Sequence, residues 1–356
     1  MIKQLRRGAL IAAACLAACA SAQAGAQAST VGAALERPAL ASAQAAHAVL
    51  MGAAQAGQRL VAVGERGIIV WSDDAGKQWQ QAQVPVSVTL TAVQFVDASH
   101  GWAVGHGGVV LASGDGGKSW QRQLDGIAAA QLLLAEATAR NDALAIKQAN
   151  RMVADGADKP LLALHFFDQS RGIVVGAYNL AFATSDGGKT WQPWSSRIDN
   201  PQGLHLYTIR AQGASILIAG EQGMVIKSDD QGAHFARIAT PYKGSFFTAE
   251  LLGERDIVLA GLRGNAWRSS DNGANWAALS GAAPVSFTAS AMRGAREVLL
   301  ANQAGQLFSL LDGTLRALPG APLPPPAGLL PLADGRLLAL TARGAILVPA
   351  ATKVPQ

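Results

Sequence analysis

A single turn recurs along nearly the whole chain, and it narrows the possible folds sharply. The pattern Ser/Thr-x-Asp-x-Gly-x-x-aromatic occurs at Ser72-Asp-Asp-Ala-Gly-Lys-Gln-Trp79, Ser113-Gly-Asp-Gly-Gly-Lys-Ser-Trp120 and Thr184-Ser-Asp-Gly-Gly-Lys-Thr-Trp191. It returns at Ser228-Asp-Asp-Gln-Gly-Ala-His-Phe235 and Ser269-Ser-Asp-Asn-Gly-Ala-Asn-Trp276, with a degenerate copy around Leu311-Asp312-Gly313. Successive aspartates lie 41, 71, 44, 41 and 41 residues apart. A period near 41 means that one small unit is copied in tandem and that each copy covers the next.

The interior of a unit says what is copied. Ahead of each turn stands an apolar run with a glycine-rich bend: Val61-Ala-Val-Gly64 with Gly67, Trp102-Ala-Val-Gly105 with Gly108, and Val174-Val-Gly176. Leu217-Ile-Ala-Gly220 with Gly223, Val258-Leu-Ala-Gly261 with Gly264, Leu299-Leu-Ala-Asn302 with Gly305 and Leu338-Ala-Leu-Thr341 with Gly344 complete seven. In the second unit, Thr89 to Val96 alternates polar and apolar residues like a half-buried strand. Three further short strands follow, separated by tight turns. A four-stranded meander repeated seven times predicts an all-β, seven-bladed β-propeller. The segment around Leu35 to Met51 is expected to supply the first strand of blade one and a strand that closes the ring onto blade seven.

Two stretches break the period. About 30 extra residues lie between the second and third aspartate turns, and Ile127 to Asp155 contains no Gly or Pro. That segment predicts a helical insertion between blades two and three, within about residues 126–160, and Asn141-Asp142 is placed to split it into a hairpin. Pro322, Pro324, Pro325 and Pro326 mark an extended loop before blade seven.

The repeated aspartates Asp74, Asp115, Asp186, Asp230 and Asp271 are assigned to turn structure. A carboxylate there can accept backbone N–H groups of its own turn. The aromatic partners Trp79, Trp120, Trp191, Phe235 and Trp276 are expected to pack on the blade and exclude water. Fivefold repetition argues for architecture over catalysis, and no acidic ladder of calcium-loop spacing is present.

The N-terminus has the three parts of an export signal: Lys3, Arg6 and Arg7, then an apolar stretch from Gly8 to Ala18, then small residues. That stretch is too short to span a bilayer. Two processing routes fit. Cleavage after Ala22-Gln23-Ala24 leaves a chain from about Gly25, whereas Leu16-Ala-Ala-Cys19 reads as a lipobox that would acylate Cys19. The expected organisation is a signal over 1–24, one propeller over 25–350 and a tail over 351–356, exported to the periplasm, soluble or anchored through Cys19. No second stretch reads as a transmembrane helix. Cys15 and Cys19 are the only cysteines, so a chain without its signal has no disulfide, thiolate nucleophile or cysteine metal site. Removing the three signal cations lowers 29 basic residues to 26 against 24 acidic, and no Lys/Arg run follows. Neither a nucleic-acid-binding face nor a metal or cofactor is expected; the six histidines show no ligand spacing.

Tandem Val-Gly-x-x-Gly bends followed by Ser-x-Asp-Gly-Gly-x-x-Trp resemble the BNR/Asp-box propellers, above all the photosystem II stability/assembly factor family and its relatives in non-photosynthetic bacteria. The stretch from Trp102 to Trp120 carries the likeness best, and Asp155-Gly156, Asp158-Lys159-Pro160 and Leu164-His165-Phe166-Phe167 are similar to the bacterial relatives. The resemblance spans about residues 45–350. It implies a non-catalytic assembly or scaffolding role toward a protein partner, with no cofactor. For the bacterial relatives it implies a membrane-embedded, RND-type (MMPL-like) exporter as client and a monomer outside the complex. Photosynthetic members use an arginine-rich face; this chain has scattered arginines instead.

Candidate partner-binding residues are those on turns between second and third strands: Glu65, Arg66, His106, Glu221, Arg263 and Arg343. The insertion joins a fourth strand to the next first strand, so it is expected on that same face. Each of these residues taken singly also suits a solvated turn. The alternative is a carbohydrate-active propeller, sialidase-like or another glycoside hydrolase, because those enzymes also carry Asp-boxes. A sialidase needs an arginine triad, a Tyr/Glu pair and an acid. The available residues are Tyr178, Tyr207, Tyr242 and the lone Arg210, with Glu65, Glu221 and Glu250 as carboxylates outside the boxes.

Overall fold

A computed structural model describes residues 31–350; the expected signal over 1–24, Cys19 and the expected tail over 351–356 lie outside the described residues. Seven antiparallel sheets follow one another along the chain. Six have four strands and the seventh has three. The first strand of every blade touches the first strand of the next, and Leu50–Ala56 of blade one touches Pro326–Pro331 of blade seven, so the ring closes.

The burial pattern explains why the units read as they do. Each second strand lies between neighbouring blades, and Gly101–Gly105, Gly172–Gly176, Ser215–Gly220 and Ile257–Gly261 are buried throughout. Those strands are therefore continuously apolar, whereas the first strands mix buried and partly exposed positions. The glycine closing the second strand in blades one to five is required by a close approach. A Cβ on Gly64 would stand 2.0 Å from the Val49 carbonyl oxygen, and one on Gly220 would stand 2.1 Å from that of His205. Burial of apolar side chains at these interfaces stabilises the ring by roughly 25 cal/mol per Å².

The insertion forms two helices, Gly126–Ala139 and Ala143–Asp155. Asp125 caps the first by accepting the Ile127 and Ala128 amides at 3.0 Å, and Asp142 caps the second through the Ala145 amide at 3.0 Å. Asn141, between them, has a left-handed φ of 52°. The hairpin packs through Ala129, Ala130, Ala137 and Ala149, and leaves Ile127, Leu144 and Val153 exposed.

The expected closing strand is corrected. Residues 31–49 form a short helix, Val31–Leu35, and a 3-10 turn, Ala45–His47. The Ala39 amide donates to the Val84 carbonyl at 3.0 Å, and Gln81 bonds the Ser42 amide and the Leu40 carbonyl. The strap thus bonds blade one and, through the Leu35 carbonyl, Arg122 of blade two; its 3-10 turn also touches blade seven, but it adds no strand to Gly344–Val348, which is paired on one side.

Candidate interaction face

The turns separate into two faces. In each Asp-box a hydroxyl and a carboxylate divide the work. Gly76 N donates to Ser72 Oγ at 2.9 Å, while Lys77 N and Gln78 N donate to Asp74 Oδ1 at 3.0 and 2.9 Å. Asp115 Oδ1 accepts the Lys118 and Ser119 amides, Asp230 the His234 amide and Asp271 the Asn275 amide. Asp186 accepts the Thr190 hydroxyl at 2.6 Å and its amide at 2.9 Å, and these two bonds hold its carboxyl down at about 2. Trp120 and Trp191 are buried; Trp79, Phe235 and Trp276 are half-buried. The boxes lean on the turns between first and second strands: Gly116 N reaches Ser99 O, and Asn272 N reaches Arg255 O. The first-to-second and third-to-fourth turns therefore share one face.

The opposite face carries the second-to-third turns. Glu65–Gly67, His106–Gly108, Ala177–Asn179, Glu221–Gly223 and Leu262–Gly264 are 3-10 turns whose second residue is left-handed, with φ of 55° at Arg66, 68° at Gly107, 54° at Tyr178, 54° at Gln222 and 57° at Arg263. That conformation turns the second side chain outward, and Arg66, Tyr178, Gln222, Arg263 and Arg343 are exposed. The insertion is rooted here. Gly126 packs against Gly107 and Gly108, and the Glu136 carboxylate on the first inserted helix accepts the Ser196 hydroxyl at 2.7 Å.

Not all candidates are equally available. Glu65 Oε1 accepts the Val49 amide at 3.2 Å, and Glu221 Oε2 accepts the His205 amide at 3.1 Å. Both carboxylates pin the incoming first strands. Arg66, His106, Arg263 and Arg343 are spread around the ring on the same face, exposed and without an ion pair among the described residues.

The structure adds a feature the sequence reading missed. Tyr178 packs edge-on against His205 at 4.7 Å, His205 lies 6.1 Å from Tyr207, and Tyr207 meets Phe247 at 5.4 Å. An aromatic path thus runs from the turn of blade three to the inner strand of blade five. The Tyr178 amide donates to His205 Nδ1 at 3.0 Å, and Lys159 Nζ stands 5.4 Å over the Tyr178 ring. Burial, then the charge of Glu221, raises the Tyr207 phenol, so it stays protonated and able to donate.

The residues of the enzymatic alternative are committed elsewhere. Arg210 Nε and Nη2 each lie 3.2 Å from the Glu250 carboxylate, which also accepts the Ser290 hydroxyl at 2.6 Å. Tyr242 donates to the Leu262 carbonyl at 3.0 Å. Among the described residues no three His, Cys, Asp or Glu side chains cluster to hold a metal. The clefts open on the other face instead, between Asp-boxes. One of about 260 Å³ lies between blades three and four, with Phe167, Trp194, Arg171 and Arg197 among its walls. In this groove Arg171 is paired with Asp168 at 2.8 Å.

The family model described as "Photosynthesis system II assembly factor YCF48" matches residues 71–146 and 143–312, more than half of the chain. Photosystem II assembly lipoprotein Ycf48 of Synechococcus sp. (strain CC9902) is 31% identical over 77 residues, which cover 22% of this chain and 23% of that one. The match thus spans less than a quarter of that relative's length. Among solved structures, YCF48 bound to D1 peptide superposes with a TM-score of 0.63 at 18% identity, covering 87% of this chain and 98% of the other. YCF48 from Cyanidioschyzon merolae gives 0.62 at 15%, covering 85% and 95%.

Proposed function

The chain belongs to the photosystem II assembly factor family that carries the name YCF48, and on that footing we propose that it is a non-catalytic assembly or stability factor that binds a protein partner. The binding surface is the face of the second-to-third turns, with the helical insertion as its raised edge. One observation carries this reading: the path Tyr178–His205–Tyr207–Phe247 and the outward cations Arg66, Arg263 and Arg343 share a face with the inserted hairpin. Amphipathic aromatics and arginine are the side chains that anchor protein interfaces. A solved relative is bound to D1 peptide, which favours a polypeptide ligand here as well. The three-part N-terminus supports export to the periplasm, and a membrane-embedded, exporter-like client suits a protein delivered there. No helix of the described residues is long and apolar enough to cross a membrane.

The glycosidase reading is weaker on one observation. Arg210, the cation it needs, is held by Glu250, and Glu65 and Glu221 cap backbone amides. The test is recovery of partners by a tagged chain from gently crosslinked, detergent-solubilised membranes. An integral membrane protein should come down with the wild type and be lost with an Arg66/Arg263/Arg343→Ala variant. Recovery that the variant leaves untouched would move the interface away from these turns.

A further inference from the structure

The seventh blade differs from the other six in its outer edge. In blade one the short strand Gln80–Gln81 pairs with Val70 and Trp71; Gln121–Leu124, Gln192–Pro193, Ala236–Arg237, Ala277–Ala278 and Thr314–Ala317 fill the same position in blades two to six. Among the described residues nothing pairs with the outer side of Gly344–Val348, and no hydrogen bond from another described element reaches it.

We propose that this edge is a strand-accepting site for a short extended segment of a partner protein. An antiparallel ladder alternates inward and outward backbone groups. Ala345 and Leu347 stand where Ile69 and Trp71 stand in blade one, by their pairing with Leu340 and Leu338. Their N–H and C=O groups therefore point away from the sheet. The strand Gly344-Ala-Ile-Leu-Val348 carries no charge, Pro or Gly after its first residue, so it lacks the devices that protect exposed edges.

The sister blades specify the occupant. In each of five, the residue just after the outer strand donates its amide to the first residues of the third strand: Ala82 to Ile69, Trp194 to Ala181, Ile238 to Val225, Leu279 to Ala266 and Leu318 to Leu307. All five donors are apolar, and the two residues before them are polar or small in every blade but one, where Pro193 stands. The segment that fits is thus two small or polar residues followed by an apolar one that dips toward the groove between blades. A free peptide segment can make that dip; a strand already bonded inside a second ring cannot. Main-chain bonds supply the affinity, as in other strand additions, and the apolar residue supplies selectivity. This edge starts beside the Arg343 turn, but it is read by backbone pairing with a peptide and by variants that leave Arg66, Arg263 and Arg343 in place, so the two readings fail separately.

The probe is a fluorescein-labelled peptide with this chain's own sequence Asp312-Gly-Thr-Leu-Arg-Ala-Leu-Pro319, read by anisotropy against the full chain without its signal. Saturable binding is expected. Leu347→Pro removes one outward N–H and should weaken binding at least tenfold. A second variant, with residues 349–356 replaced by a copy of the turn and strand over 312–318, fills the edge in cis and should abolish binding while raising the melting temperature. Absence of binding to the wild type, or equal binding to both variants, overturns the proposal. Binding only to a chain ending at Ala350 would assign the edge to the chain's own tail. A wild-type dimer that Leu347→Pro dissociates would assign it to a second copy. Either result also overturns it.

Discussion

Trp102 of blade two and Phe166 of blade three stack face to face, with ring centroids 3.7 Å apart and planes 6° from parallel. The Trp102 indole also donates to the Gly187 carbonyl at 3.1 Å, in the Asp-box of the next blade. This pair locks together the two blades between which the helices are inserted. Trp102→Ala should therefore destabilise the ring by about 3–5 kcal/mol, seen as a lower urea midpoint at unchanged slope.

The Arg210–Glu250 pair predicts an asymmetry. Glu250 is 6% exposed and Arg210 is 34% exposed. Removing the arginine leaves a buried carboxylate with only the Ser290 hydroxyl, so Arg210→Ala should cost about 3 kcal/mol. Glu250→Gln leaves a cation that water can reach and should cost about 1 kcal/mol. Equal losses in urea titrations would contradict this ranking.

His165 ties stability to mild acid. Burial, and then the nearby Arg210 charge, push its imidazole down to about 4. The unfolded chain takes up this proton near 6.5 and the folded chain does not, so stability falls as pH drops from about 6.5 to about 4. The shift corresponds to about 3 kcal/mol across that window. Urea midpoints at pH 7 and pH 4.5 should differ in the wild type, and His165→Gln should narrow the difference.

The Asp-boxes act at lower pH. Backbone and side-chain bonds from Asn275 hold Asp271 at about 2, and bonds from Thr190 hold Asp186 there too. Their contribution is present above about pH 4 and is lost as pH falls toward 2. At neutral pH, Asp186→Ala should lower stability by about 1–2 kcal/mol, since the Thr190 amide and the Thr184 and Thr190 hydroxyls lose their acceptor. Thermal melts of the single variant, and of the Asp186/Asp271→Ala pair, would show whether the losses add.

Seven blades were legible because five repeat a full local signature, a buried apolar strand, a glycine where backbones nearly touch and the aspartate turn, and the last two keep the apolar strand and the bend after it. The helical hairpin was legible for the converse reason, as a Gly- and Pro-free stretch breaking the period. The strap over residues 31–49 was not. Its hydrogen bonds to Gln81 and Val84 of blade one are single long-range contacts without a repeated pattern. The bend of blade three was hard to place because Asn179, with φ 63°, stands where its sisters carry glycine; asparagine tolerates that conformation. The aromatic path is invisible in sequence because Tyr178, His205, Tyr207 and Phe247 sit on three blades. Aligning the starts of the first strands would have brought Tyr207 and Phe247 together.

The most direct test places a photo-crosslinking residue on each face of the chain in living cells, at Tyr178 and Arg263 on one side and at Lys118 and Lys189 on the other. Proposed binding through the insertion-bearing face predicts a discrete adduct with one protein from the first pair and none from the second. Adducts from the Asp-box positions alone, or from neither pair, would contradict it.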